Sequence, residues 1–202
     1  MGCKIKICGL MRDYDALICN TYMPDYAGLV FWDKSRRYVN KEQAAAIRAI
    51  LNPAIPTVGV FVDAPVKEVA ALVKEHIISI VQLHGKEDDD YIRELRKLCS
   101  VPVIKAFRLG EAGEDIFERI NQSIADTVLV DSGAGSGVTF DWEALKKIKR
   151  EYFLAGGLSP DNVKEAIKTG AFALDVSSGV ETDGRKDADK VRRMIQAVRD
   201  LE

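Results

Sequence analysis

The chain has 202 residues, 47% of them hydrophobic and 30% charged, with 15 Gly, 6 Pro and 4 Cys. This composition excludes collagen-like and disordered chains, and a chain of this length buries roughly 70% of its unfolded surface in one core without metal or disulfide staples. Lys and Arg number 29 against 31 Asp and Glu, a net charge of −2, which argues against a general nucleic-acid binder and leaves any anionic ligand to a local site.

Short β-branched runs alternate with helical patterns in chain order. The spacing predicts strand and helix pairs over 4–8 and 12–22, 27–31 and 41–51, 57–62 and 66–75, 79–83 and 88–98. The series continues with 101–106 and 114–124, 127–131 and 142–150, 152–156 and 160–168, 172–177 and 187–201. Strict alternation predicts a parallel sheet with right-handed crossovers. Eight units close into an α/β single (β/α)8 TIM barrel, for which about 200 residues is the low end. An open doubly wound sheet is the runner-up, though it more often stops at five to seven strands. No Pro-, Gly- or Ser-rich linker interrupts the pattern, so residues 1–202 read as one domain.

Helix punctuation agrees with the count. Asn40 with Gln43 approximates a capping box, Ser159 before Pro160 and Asp161 reads as an N-cap, and Gly170 reads as a helix stop. Thr139 and Asp141 are alternative caps for the sixth helix. The first residues lead straight into apolar alternation, with no signal-peptide core, and no run approaches the roughly 18 apolar residues of a membrane helix. Cys3, Cys8, Cys19 and Cys99 form no C-x-x-C pair, and with two His they predict free thiols in a cytoplasmic protein and no metal site.

Alternation along strands sorts barrel interior from helix-facing surface. Lys4, Lys6 and Cys8 share one face of the first strand; Gln82 and His84 share one of the fourth. Lys105 falls with Val103, Asp131 with Leu129, and Asp175 with Ser177. Most lie near the carboxyl ends of their strands, which converge at the mouth where such barrels carry their sites. Gly156-Gly157 after strand seven and Ser177-Ser178-Gly179 after strand eight form a pair of loops suited to a phosphate, because exposed N–H groups and a helix N-terminus favour an anion. Gly133 to Thr139 suggests a P-loop, but Val138 stands where that motif has Lys. A Gly-rich lid is the better reading, with Phe140 and Trp142 as its anchors.

Lys6-Ile7-Cys8-Gly9-Leu10, Phe31 to Tyr38, Val58 to Val62, Val81 to Gly85, Val130-Asp131, Gly135 to Trp142, Ala155 to Val163 and Asp175 to Glu181 together resemble the phosphoribosylanthranilate isomerase family of tryptophan biosynthesis. The resemblance spans nearly the whole chain. It implies a monomer or homodimer that performs an Amadori rearrangement of N-(5-phosphoribosyl)anthranilate, a small phosphosugar, without cofactor. No nucleic-acid or membrane partner is implied. Carried over by motif, Cys8 is the general base, Asp131 the general acid, and Arg37 the residue that holds the anthranilate carboxylate. Gly156, Gly157, Ser177 and Ser178 match the phosphate loops; Gln82 and His84 are added as substrate-binding residues, His84 as a hydrogen-bonded rim residue. Leu10-Met11 and Gly137-Val138-Thr139 depart from the common pattern, and the second puts a loop lysine's role in doubt.

The chemistry fits these residue types. Ring opening needs an acid at the furanose oxygen, and a base must then take the C2 proton. A carboxylic acid keeps its proton where water is partly excluded. Lys6, about 6.5 Å back along the same face, is expected to lower the Cys8 thiol pKa. Arg36 is an immediate alternative to Arg37. Two competing readings are another sugar-phosphate isomerase or lyase on the same scaffold, and a phosphosugar-binding regulator without turnover.

Overall fold

The structure, a computed structural model, describes residues 2–109, 115–132 and 142–200. The apolar runs become β1 (Lys4–Cys8), β2 (Tyr26–Val30), β3 (Thr57–Phe61), β4 (Ile80–Leu83), β5 (Val103–Arg108), β6 (Thr127–Asp131), β7 (Tyr152–Ala155) and β8 (Ala173–Val176). Each is parallel to the next, and β8 pairs with β1 to close the barrel. The intervening helices are α1 (Asp13–Tyr22), α2 (Lys41–Ile50), α3 (Val66–Lys74), α4 (Asp89–Leu98), α5 (Ile116–Gln122), α6 (Val163–Lys168) and α7 (Ala188–Arg199).

Alternating side chains build two cores. Ile5, Ile7, Leu29, Leu83, Val130 and Leu174 face outward and pack under the helices. Val58, Ile104, Leu129, Phe153 and Ala173 fill the barrel interior, and Cys8, Val30 and Val60 form its upper layer beneath Trp32. Phe153 packs between Tyr26 and Phe172, tilted to the first and edge-on to the second, at centroid distances of 5.4 and 5.7 Å. Among the described residues the amino end of the barrel is filled by these rings, and the polar groups of the interior gather toward the carboxyl end.

The caps explain most helix starts. Asn40 and Gln43 form the expected reciprocal capping box, with bonds of 2.8 and 3.0 Å. Asp88 accepts from the Tyr91 N–H at 3.0 Å, with acids in the first turn of α4 and Arg96 and Lys97 in its last, matching the helix dipole. Gly170 takes the expected left-handed φ of 76°.

Three expectations are corrected and one element is added. The helix over 142–150 is a six-residue 3-10 helix, Trp142–Lys147, with Leu145 its one buried residue; a single apolar anchor supplies no stripe for an α-helix. The helix over 160–168 starts at Val163, because Asn162 bridges the Ser159 N–H and the Gly157 carbonyl, both at 2.9 Å, and holds 157–162 as a turn. Lys105 does not face the barrel interior. It points outward with Val103, donating to the Gly85 carbonyl at 2.7 Å and Glu87 at 3.0 Å. After β8 the chain adds a 3-10 turn, Ser178–Val180, and an unforeseen hairpin of β9 (Glu181–Thr182) and β10 (Arg185–Lys186). The glycine-rich segment 133–139, the alternative caps Thr139 and Asp141, and Phe140 lie outside the described residues; Trp142 packs against the outer core.

Candidate active site

Cys8 ends β1 and is 8% exposed at the mouth. Gly28 stands opposite it in register, and a Cβ there would lie 2.7 Å from Sγ. The strand alternation that puts Cys8 inward puts Lys6 inward one layer below, where it is fully buried. Its ammonium reaches Gln82 Oε1 at 2.5 Å, Asp175 Oδ2 at 3.0 Å and Cys8 Sγ at 3.5 Å. Asp175 is the register partner of Lys6 across the closing seam of the barrel. Its other oxygen, Oδ1, is buried with no hydrogen-bond partner. Gln82 Nε2 lies 3.0 Å from His84 Nδ1, and His84 Nε2 lies 3.7 Å from Asp131 Oδ2. Cys8, Lys6, Gln82, His84 and Asp131 thus follow one another across the mouth.

The electrostatics correct one expectation. Burial pushes the Cys8 thiol above its ordinary 9.0, and Asp175 pushes the same way, against the opposing pull of Lys6 and Lys186. Burial, the largest single influence, works against the Lys6 ammonium too, but Asp175 and Cys8 together outweigh it and the lysine stays charged. Lys6 pulls the thiol down as expected, but burial first and Asp175 second outweigh it. Without ligand, Cys8 is a thiol.

Arg37 is half-buried on the β2–α2 loop, packed over Gly9, whose φ of 81° only glycine adopts freely. Its Nε and Nη2 donate to the two oxygens of Glu181, each at 2.7 Å. Arg36, the alternative, is exposed. Lys186 also donates to Glu181, at 2.6 Å, and to the Ser177 carbonyl at 3.2 Å. Burial alone would raise the Glu181 carboxyl, yet bonds from Arg37 and Lys186 bring it down to about 2. Burial holds Lys186 below its ordinary value. Glu181 was read only as part of a motif and Lys186 not at all, because strands of two residues leave no alternation from which to assign them a role.

The two expected phosphate loops do meet. Gly156 and Gly157 take left-handed φ values of 99° and 63°. Gly179 sits so close against the Leu158 carbonyl that no Cβ fits between them. Ser177 Oγ donates to the Cys8 carbonyl at 3.0 Å, tying this loop to the end of β1, while Ser178 is exposed.

A closed eight-stranded parallel barrel with ionisable and thiol groups gathered at its carboxyl mouth defines the class: a (β/α)8-barrel enzyme. The profile described as N-(5'phosphoribosyl)anthranilate (PRA) isomerase matches residues 5–197. The N-(5'-phosphoribosyl)anthranilate isomerase of Endomicrobium trichonymphae is 39% identical over 199 residues, covering 98% of this chain and 99% of its own. The crystal structure of phosphoribosyl anthranilate isomerase from Thermus thermophilus superposes with a TM-score of 0.87 at 34% identity, over 98% of this chain and 100% of that one. Another phosphoribosyl anthranilate isomerase structure, in complex with reduced 1-(o-carboxyphenylamino)-1-deoxyribulose 5-phosphate, matches at 34% identity over 98% of this chain and 100% of its own, with a TM-score of 0.84. The chain belongs to the N-(5'-phosphoribosyl)anthranilate isomerase family.

Proposed function

We propose that the protein converts N-(5-phosphoribosyl)anthranilate to 1-(2-carboxyphenylamino)-1-deoxyribulose 5-phosphate, the Amadori step of tryptophan biosynthesis. The observation that carries this reading is chain-long family membership combined with a thiol at the end of β1 and a carboxyl at the end of β6.

Asp131 protonates the furanose oxygen as the anilino nitrogen forms a Schiff base and the ring opens. Cys8, once its thiol proton has passed to water at the open mouth, takes the C2 proton as thiolate to give an enolamine, which tautomerises to the ketose. The iminium cation formed by ring opening favours the thiolate beside it, adding to Lys6 and Lys186. Arg37 holds the anthranilate carboxylate; Gly156, Gly157, Ser177 and Ser178 cradle the phosphate, with His84 at the rim and the expected contact of Gln82 with substrate replaced by a buried place behind it, at 1% exposure. Proton transfers suffice for every step, so neither metal nor nucleotide is required. These residues come from one chain, so a monomer and a homodimer would carry the same site in each copy. Four free cysteines suit a reducing cytoplasm, and no helix among the described residues is long and apolar enough to cross a membrane.

The test follows the fluorescence of freshly generated phosphoribosylanthranilate. We expect its loss on adding the protein, unchanged by EDTA. A folded protein that leaves the signal intact overturns the reading, and activity abolished by EDTA and restored by a divalent metal overturns its cofactor-free form.

A further inference from the structure

Lys6, Gln82 and His84 form an ordered chain that ends at Asp131. An ammonium has donors only, so the amide atom 2.5 Å from Lys6 Nζ is the acceptor, Gln82 Oε1. That turns Gln82 Nε2 toward His84 Nδ1 at 3.0 Å, and an amide nitrogen donates. Nδ1 therefore accepts. In the neutral ring the proton then sits on Nε2, the atom 3.7 Å from Asp131 Oδ2.

We propose that Lys6, acting through Gln82, locks His84 as its Nε2–H tautomer and so makes His84 a positioning residue for Asp131. This rests on Asp131 being the proton donor in the reaction above. The carboxylate left after proton transfer gains a donor, and the 3.7 Å gap shortens as charge develops. A lysine that never touches the ring thereby decides which imidazole nitrogen faces the acid. Gln82 is 1% exposed, which suits a spacer held within the barrel.

The chain has two histidines, so imidazole ¹⁵N NMR reads the tautomer directly, with His76→Asn at the exposed left-handed position identifying the His84 signals. In wild-type protein, neutral His84 should show a protonated Nε2 and a bare Nδ1. Gln82→Glu still accepts from Lys6 but has no proton to donate, so Nδ1 should become protonated. In the same variant kcat should fall about tenfold or more with KM within about threefold, the loss expected for a hydrogen bond to a charged group. A bare Nδ1 persisting in Gln82→Glu overturns the lock, and a raised KM with unchanged kcat places Gln82 against substrate instead. Should Gln82→Glu fail to fold, Gln82→Met should show mixed tautomers with a similar kcat loss; an undisturbed Nε2–H tautomer in it is equally fatal. The spectrum needs no turnover. Inactive wild-type protein defeats the functional reading, whereas normal turnover with an unswitched tautomer defeats the lock alone.

Discussion

Arg37 and Glu181 stand 144 positions apart in the chain and meet through two N–O contacts of 2.7 Å. The guanidinium is thereby aimed before any ligand arrives. Two of its five N–H groups go to Glu181, leaving a second edge for a planar carboxylate.

Arg37→Ala should raise KM by about ten- to a hundredfold, the worth of a charge-assisted bidentate pair at roughly 1.5–3 kcal/mol. Arg36→Ala should leave KM nearly unchanged, since that side chain is exposed. Arg37→Lys should recover only part of the loss, because an ammonium lacks the planar fork. Steady-state kinetics on the three variants decide it, and equal losses at both arginines would remove Arg37 from the carboxylate site.

Glu181 should make stability depend on acid. Its carboxyl is held at about 2 against an ordinary 4.5. The contribution of the ionised form is complete above the unfolded value and is lost as pH falls from 4.5 through 2. Glu181→Gln lacks that contribution at every pH. The Tm gap between wild type and variant should be widest above about pH 5 and close toward pH 2; a constant gap shows that the charge contributes nothing.

Cys8→Ser and Asp131→Asn should each slow kcat by about 10²–10⁴-fold while changing the affinity of a reduced product analogue little. Serine is almost never ionised near neutral pH, and asparagine has no proton to give. The acidic limb of the pH–rate profile should vanish in Cys8→Ser and the alkaline limb in Asp131→Asn. Because burial and Asp175 raise the thiol, alkylation of Cys8 in the unliganded protein should be slow at neutral pH and accelerate only on the alkaline side. A folded Cys8→Ser enzyme that keeps more than about a tenth of wild-type kcat excludes Cys8 as the base.

Gly28→Ala should damage activity through Cys8 alone. The added Cβ would sit 2.7 Å from Sγ and 3.0 Å from the Cys8 Cα, contacts that force the thiol or its strand aside. Such overpacking costs about 1–3 kcal/mol of stability. We expect a modest drop in urea midpoint with a larger drop in kcat, and an unchanged kcat would mean that the thiol's position is not critical.

The eight-unit order was legible because strand and helix periods differ so sharply, and interior parity put Lys6, Cys8, Gln82, Asp131 and Asp175 on the right face. Parity misled at Lys105, where Val103 and Ile104 are both buried, one outward and one inward, so composition offers no choice of face. The helix start at 160 was misplaced because Asn162 binds backward to 157 and 159, a contact that spacing does not encode. Lys6 was recognised as a neighbour that lowers the thiol, yet its pull is outweighed by burial and by Asp175, which lies 169 positions away from Lys6. The roles of Glu181 and Lys186 depend on a hairpin too short to leave a pattern. What was missed is pairwise and long-range; what was found is periodic and local.

Lys6 and Asp175 belong to the first and last strands of the barrel and face each other at its seam. Neutralisation of the innermost positive group therefore waits until the C-terminal end of the chain has been made and docked. A fragment ending before β8 would have to bury the Lys6 ammonium without its carboxylate, a defect of about 3–5 kcal/mol, comparable with the whole stability margin of many domains. The charge pair beside the thiol thus acts as a checkpoint on completion, disfavouring a closed barrel in any chain that stops short of its eighth strand.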